Sequence, residues 1–128
     1  MTLDASALVA VLFTEAGYLD LVDRILEADH VRIGAPTLAE ASLVYMRRLR
    51  VQTPAAIEAV VKELGVTVVP FGEAEWRVAT DAFMKYGRGR HKAALNFGDC
   101  LAYASASAAG DTLLFVGNDF RKTDITPA

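Results

Sequence analysis

The chain has 128 residues, 53% of them hydrophobic, with a formal net charge of −3 and a single cysteine, Cys100. That length suffices for one domain, residues 1–128, whose core needs neither a structural metal nor a disulfide, and a lone cysteine excludes an internal bridge. A pI near 5.3 excludes a globally basic nucleic-acid binder, so any such binding must come from local patches.

Residues 2–4 read as a first strand, Thr2-Leu3-Asp4, which ends on a carboxylate. Asp4-Ala5-Ser6 is also able to begin a helix. The apolar stretch that follows, residues 5–13, is short and has no basic leader, the pattern of a soluble, cytoplasmic protein without a membrane segment. Leu19, Val22 and Leu26 keep helical spacing over residues 16–28, and residues 31–35 form a second strand candidate. Leu38, Ser42, Tyr45 and Leu49 mark a helix, as do Ile57, Val60, Val61 and Leu64. Residues 66–70 are a third strand. Trp76, Ala79, Ala82, Phe83 and Tyr86 predict another helix, and an Ala-rich one runs over residues 98–109 to Gly110. Its small side chains let it lie close to the sheet. Residues 112–116 form a fourth strand, with a short fifth near Ile125. Near-continuous apolar strands between helices point to an α/β protein with a parallel sheet covered on both faces. In such a sheet the ligand site lies beyond the carboxyl ends of the strands.

Four acids fall at such ends: Asp4, Glu40, Asp99 and Asp119. Each has a structural reading. Thr37-Leu38-Ala39-Glu40 is a capping-box pattern, and for Glu40 alone that reading is preferred. Asp99 suits the positive end of a helix, and Gly117-Asn118-Asp119 looks like turn chemistry. Asp4 serves no turn and no obvious cap. Together the four argue differently, because carboxylates about 5 Å apart at an effective dielectric near 20 repel by roughly 3 kcal/mol per pair. A divalent cation removes that cost. An all-carboxylate set favours Mg²⁺ or Mn²⁺ over zinc and implicates phosphate chemistry. His30, His91 and Cys100 are too scattered for a zinc site.

Basic residues cluster twice. Arg47, Arg48 and Arg50 end the helix that carries Glu40, where cations complement a helix C-terminus. The stretch Lys85-Tyr86-Gly87-Arg88-Gly89-Arg90-His91-Lys92 leads into Asp99, and its two glycines predict a mobile loop. Arg88, Arg90 and Lys92 are candidates for gripping an RNA backbone. A haloacid-dehalogenase-type site needs a second Asp where Ser6 stands. A receiver domain needs an acid where Pro70-Phe71-Gly72 stands, and a P-loop is absent.

The segments Met1-Thr2-Leu3-Asp4-Ala5-Ser6-Ala7-Leu8, Ala35-Pro36-Thr37-Leu38-Ala39-Glu40, Leu95-Asn96-Phe97-Gly98-Asp99-Cys100 and Leu114-Phe115-Val116-Gly117-Asn118-Asp119-Phe120, followed by Thr123-Asp124-Ile125, resemble the PIN domain of VapC toxins. The resemblance spans nearly the whole chain. It implies a three-layer α/β/α domain with a central parallel sheet of four to five strands. It also implies a Mg²⁺- or Mn²⁺-dependent endoribonuclease that forms a homodimer and is neutralised by a VapB-type antitoxin covering its active site. Asp4, Glu40 and Asp99 carry over as catalytic metal ligands, with Asp119 or Asn118 in the fourth position. Ser6 carries over as a hydroxyl that bonds a carboxylate or a metal water. In-line attack by water would leave a 5′-phosphate and a 3′-hydroxyl. The rival reading is a catalytically weak scaffold of the same fold that acts mainly by binding protein or RNA.

Overall fold

The computed structural model describes residues 1–128. In chain order the elements are β1 (Thr2–Leu3), α1 (Ala5–Leu12), α2 (Tyr18–Glu27), β2 (Arg32–Gly34), α3 (Ala35–Leu49), α4 (Ala55–Glu63), β3 (Thr67–Val69), α5 (Glu73–Tyr86), α6 (Phe97–Ala109) and β4 (Leu113–Leu114), with a 3₁₀ turn at Phe120–Lys122. The four strands are parallel in the order β3-β2-β1-β4. The expected fifth strand near Ile125 is only an isolated bridge between Leu113 and Pro127. A single residue pair cannot extend the ladder.

Adjacent residues of a strand point to opposite faces, and β4 shows it. Leu114 joins a core built with α1, α2, α3 and α4, while Leu113 joins one built with α5 and α6. Leu3, Leu8, Ile25, Ile33 and Ile57 are almost wholly buried in the first core, each contributing about 1.5–3 kcal/mol of transfer free energy. On the second face α6 packs against the sheet through Ala102, Ala104, Ser105 and Ala106, all buried. The approach is close enough that a Cβ on Gly34 would overlap the Ser105 side chain. The small residues of the Ala-rich helix therefore do set its distance from the sheet.

Helix α1 carries no amphipathic signal because five of its eight residues are buried. A helix covered nearly all round has no polar stripe to reveal its period. No helix is long and apolar enough to cross a membrane.

Strand order reverses at β1, with β2 on one side and β4 on the other. This is the switch point where an open parallel sheet leaves a crevice beyond its carboxyl edge. Asp4 follows β1 directly and donates its N–H to the Leu114 carbonyl at 2.9 Å. At the opposite edge of the sheet, Asp111 accepts from Thr2 Oγ1 at 3.0 Å and Arg32 Nε at 3.0 Å, and lies 3.1 Å from His30 Nε2. That pairing accounts for His30 as a surface residue.

Candidate active site

Asp4 is a cap after all. Its carboxylate accepts the Ser6 N–H at 2.9 Å, which makes it the N-cap of α1. Ser6 Oγ donates to the same oxygen at 2.5 Å and accepts the Val116 N–H at 3.0 Å. One hydroxyl thus ties the end of β1 to the end of β4 and fixes the direction of the carboxylate. Asp4 is only 6% exposed, so a charge there has little water to stabilise it.

The capping-box reading of Glu40 is corrected. Helix α3 begins three residues earlier, with Gly34 as N-cap and Pro36 in its first turn, where a missing N–H costs nothing. Thr37 is therefore inside the helix, fully buried, and its Oγ1 has no hydrogen-bond partner. Glu40 is released from capping and reaches across to α6, where its carboxylate rests on the Cα of Gly98. Any Cβ at position 98 would overlap it. The glycine before Asp99 is thus explained by a side chain 58 positions away in sequence, a relation no local pattern reveals.

Asp99 does perform the structural role read for it. Asn96 and Asp99 form a reciprocal capping box, with Asn96 N–H to Asp99 Oδ2 at 2.8 Å and Asp99 N–H to Asn96 Oδ1 at 3.0 Å. The bond uses one carboxylate oxygen and leaves the other free. Asp4, Ser6, Glu40 and Asp99 line one cleft of about 260 Å³. Asp119 is exposed at the start of the 3₁₀ turn, outside that lining. Its charge still reaches Asp99. Asn118 is exposed beside it and takes no part in the hydrogen bonds that shape the cleft.

Burial pushes three of these acids above the ordinary carboxylate range. For Asp4 the hydrogen bonds from Ser6 and Ala5 oppose it. For Glu40 the charges of Asp4 and Asp99 add to it. For Asp99 the Asn96 N–H opposes it, Asp4 and Asp119 add to it, and Arg88 pulls the other way. The acids therefore sense one another, as a shared site requires. Burial, then the charge of Asp99, pushes the Cys100 thiol up to about 11.

Raised carboxyl values mean that the folded state holds more protons than the unfolded one, so stability falls as pH rises through them. Lowering the pH of the metal-free protein from neutrality toward 4.5, the ordinary glutamate value, is expected to raise its melting temperature. Asp124 works in the opposite sense. Lys85 and Tyr103 hold it down to about 2, and its contribution fades only below 3.8, outside that window. Melts across pH on the parent and on Asp4→Asn check the expectation, and a rise undiminished in the variant would remove the site as its source.

The donors fit a hard cation. All are carboxylate oxygens on one cleft, the donor chemistry of such an ion, although no three of them stand close enough together to hold a metal ion by themselves. Mg²⁺ commonly keeps several waters and takes one or two carboxylates plus phosphate oxygens, which an open cleft with carboxylate donors allows.

The predicted basic loop is held at its base. Gly87 bridges Leu95, Arg88 N–H donates to the Leu95 carbonyl at 3.0 Å, and Arg90 and His91 both donate to the Gly87 carbonyl. The Gly87 carbonyl closes a turn, in which Gly89 takes a positive φ of 81°. Arg88, Arg90 and Lys92 are exposed on it, with Arg90 Cζ 5.6 Å from the Phe83 ring centre. The sequence reading missed Arg48 and Glu15, which line the same cleft as the acids. Arg48 was indistinguishable from its neighbours Arg47 and Arg50 as a helix-end cation.

Residues 1–125 match the family model described as PIN domain. The chain belongs to the PIN domain family. Within it, the VapC ribonucleases are full-length relatives. Ribonuclease VapC36 of Mycobacterium tuberculosis is 42% identical over 98% of this chain and 91% of its own length. Ribonuclease VapC42 of the same organism is 36% identical over 100% and 98%. Among solved PIN folds, the chain superposes on M. tuberculosis VapC20, described as a Sarcin-Ricin loop cleaving toxin, with a TM-score of 0.74 at 17% identity, covering 99% of this chain and 97% of that one. A toxin–antitoxin complex from Klebsiella pneumoniae gives 0.69 at 16% identity, with the same coverages. The expected α/β architecture with a parallel sheet is therefore that of this PIN domain, with four strands.

Proposed function

We propose that this VapC-family PIN domain is an endoribonuclease toxin that hydrolyses RNA phosphodiesters with Mg²⁺ or Mn²⁺ held by Asp4, Asp99 and Glu40, with Asp119 at the rim. The observation that carries the reading is the convergence of Asp4, Glu40 and Asp99 on one cleft although they lie far apart in sequence. When bound, the cation supplies charge neutralisation at the scissile phosphate and acidification of water. Ser6 holds Asp4 in place, Gly98 makes room for Glu40, and the Asn96 cap orients Asp99. Arg88 stands on the Asp99 side, where its charge is felt by that acid. In this reading Arg88 takes a phosphate next to the one that reacts.

Two partners belong to the proposal: a second copy of the chain and a VapB-type antitoxin. Support comes from the toxin–antitoxin complex among the structural neighbours and from an apolar face beside Glu40, where Leu43 and Phe97 are 67% and 79% exposed. Such a face favours coverage by protein.

The test is incubation with single-stranded RNA in Mg²⁺, Mn²⁺ or chelator, with analysis of product ends. Metal-dependent products bearing 5′-phosphates are expected, and equal cutting in chelator would overturn the metal assignment. The same cation should stabilise the fold, because it relieves carboxylate repulsion. At ten times its dissociation constant the gain is about 1.4 kcal/mol. Thermal melts of the parent should show it and those of Asp99→Asn should not.

A further inference from the structure

Arg48 is the one basic side chain that lines the carboxylate cleft. It lies eight residues beyond Glu40 on α3, about 12 Å along the helix axis. Its Nη1 is 2.7 Å from Glu15 Oε1, and its Cζ is 4.8 Å from the centre of the Phe13 ring. Phe13 is braced in turn by Tyr45, ring centres 5.8 Å apart. The guanidinium is therefore held in the cleft lining between a ring and a carboxylate. Both partners of the ion pair are well exposed, Arg48 at 50% and Glu15 at 41%. Exposed pairs of this kind typically contribute less than about 1 kcal/mol to stability, so Glu15 is a weak and replaceable counterion. Arginine has five N–H donors in a planar fork. The Glu15 contact uses Nη1, and the remaining donors are available to a phosphate.

We propose that Arg48 is the phosphate-binding arm of the cleft, resting on Glu15 and Phe13 until an RNA phosphate takes the place of the Glu15 carboxylate. The proposal rests on the reading of the site as an RNA-cleaving one and extends it. Arg48 lines the cleft itself, and the charge of Arg88 reaches Asp99, so two cations are available to the backbone near the acids. Glu15 acts as a competitor for the arm, which sets the affinity for substrate.

Steady-state cleavage of a short single-stranded RNA with Mg²⁺ tests it on four proteins: parent, Arg48→Ala, Arg48→Lys and Glu15→Gln. Loss of one charge-assisted phosphate contact is expected to raise KM roughly tenfold in Arg48→Ala and to leave kcat within about threefold. Arg48→Lys should fall between, because it keeps the charge and loses the fork. Glu15→Gln should lower KM, since it frees the arm. A purely structural ion pair predicts the opposite pattern, with Arg48→Ala and Glu15→Gln both destabilising and neither moving KM, and that result overturns the proposal. So does a KM that rises in both. If the parent cuts no RNA, the functional reading fails separately, and the arm is then read by binding of labelled RNA in an Asp4→Asn background. Affinity lost with Arg48→Ala sustains the arm, and unchanged affinity ends it.

Discussion

Asp4→Asn is expected to fold as the parent does and to cleave RNA at least about a hundredfold more slowly, a loss of roughly 2.7 kcal/mol or more of transition-state stabilisation. The two halves of this expectation come from different atoms. Asn is as good an N-cap as Asp, so its amide oxygen can still accept the Ser6 N–H that opens α1. What it cannot supply is the negative charge, and a neutral amide is a far weaker partner for a divalent cation. Removing a buried charge that repels Glu40 and Asp99 should also make the metal-free variant slightly more stable. Asp4→Ala is the poorer test, because it removes the cap together with the charge and confuses the two. Cleavage rates and thermal melts on the same Asp4→Asn preparation check both halves. Equal cleavage by both proteins would mean that Asp4 does not carry the reaction, and a parent that binds RNA or protein but cuts no RNA would favour the rival reading of a scaffold that acts by binding.

The second large effect is expected from replacing Arg88, Arg90 and Lys92 together by Ala. With single-stranded RNA each lost phosphate contact removes about 0.7 from the slope of log affinity against log salt, so three contacts remove about 2, and affinity at low salt should fall on the order of a hundredfold. The backbone bonds that close the turn run through Gly87, Tyr86 and Leu95, so the truncated side chains leave it in place. Arg88 matters most among the three because its charge reaches Asp99, whereas Arg90 is partly engaged with Phe83. Titration of RNA onto an Asp4→Asn background across salt concentrations is the measurement. An unchanged slope would mean that the turn does not hold RNA, and weakened antitoxin binding with RNA affinity intact would assign it to the partner instead.

The acids at the strand ends were legible before any coordinates, for a reason that is general to parallel sheets. Apolar strands are short and conspicuous, and the residue that follows each one must emerge at the same edge. Asp4 after Leu3 follows from that rule, Asp99 was read from its place at the head of the Ala-rich helix, and the order of the four motifs carried the PIN resemblance. Local chemistry misled where two explanations shared one pattern. Thr37-Leu38-Ala39-Glu40 satisfies the spacing of a capping box, but the chain enters α3 at Gly34, and the helix start decides which residues are free to cap. Asp4 seemed uncapped because α1, buried nearly all round, left no periodicity to announce a helix behind it.

Only the packing of helices decided the rest. Glu40 meets Gly98 because α3 and α6 converge beside the switch point of the sheet, and Arg48 faces the acids because the same helix continues along the cleft to Glu15. Residue type and spacing along one element determine which side chains share its face. Which face of another element they meet depends on distances and angles between elements, and those arise from burying apolar surface across the whole chain. The sequence by itself determined the chemistry of the donors and the edge at which they emerge. The tertiary structure alone determined that three of those acids share one cleft with a single arginine.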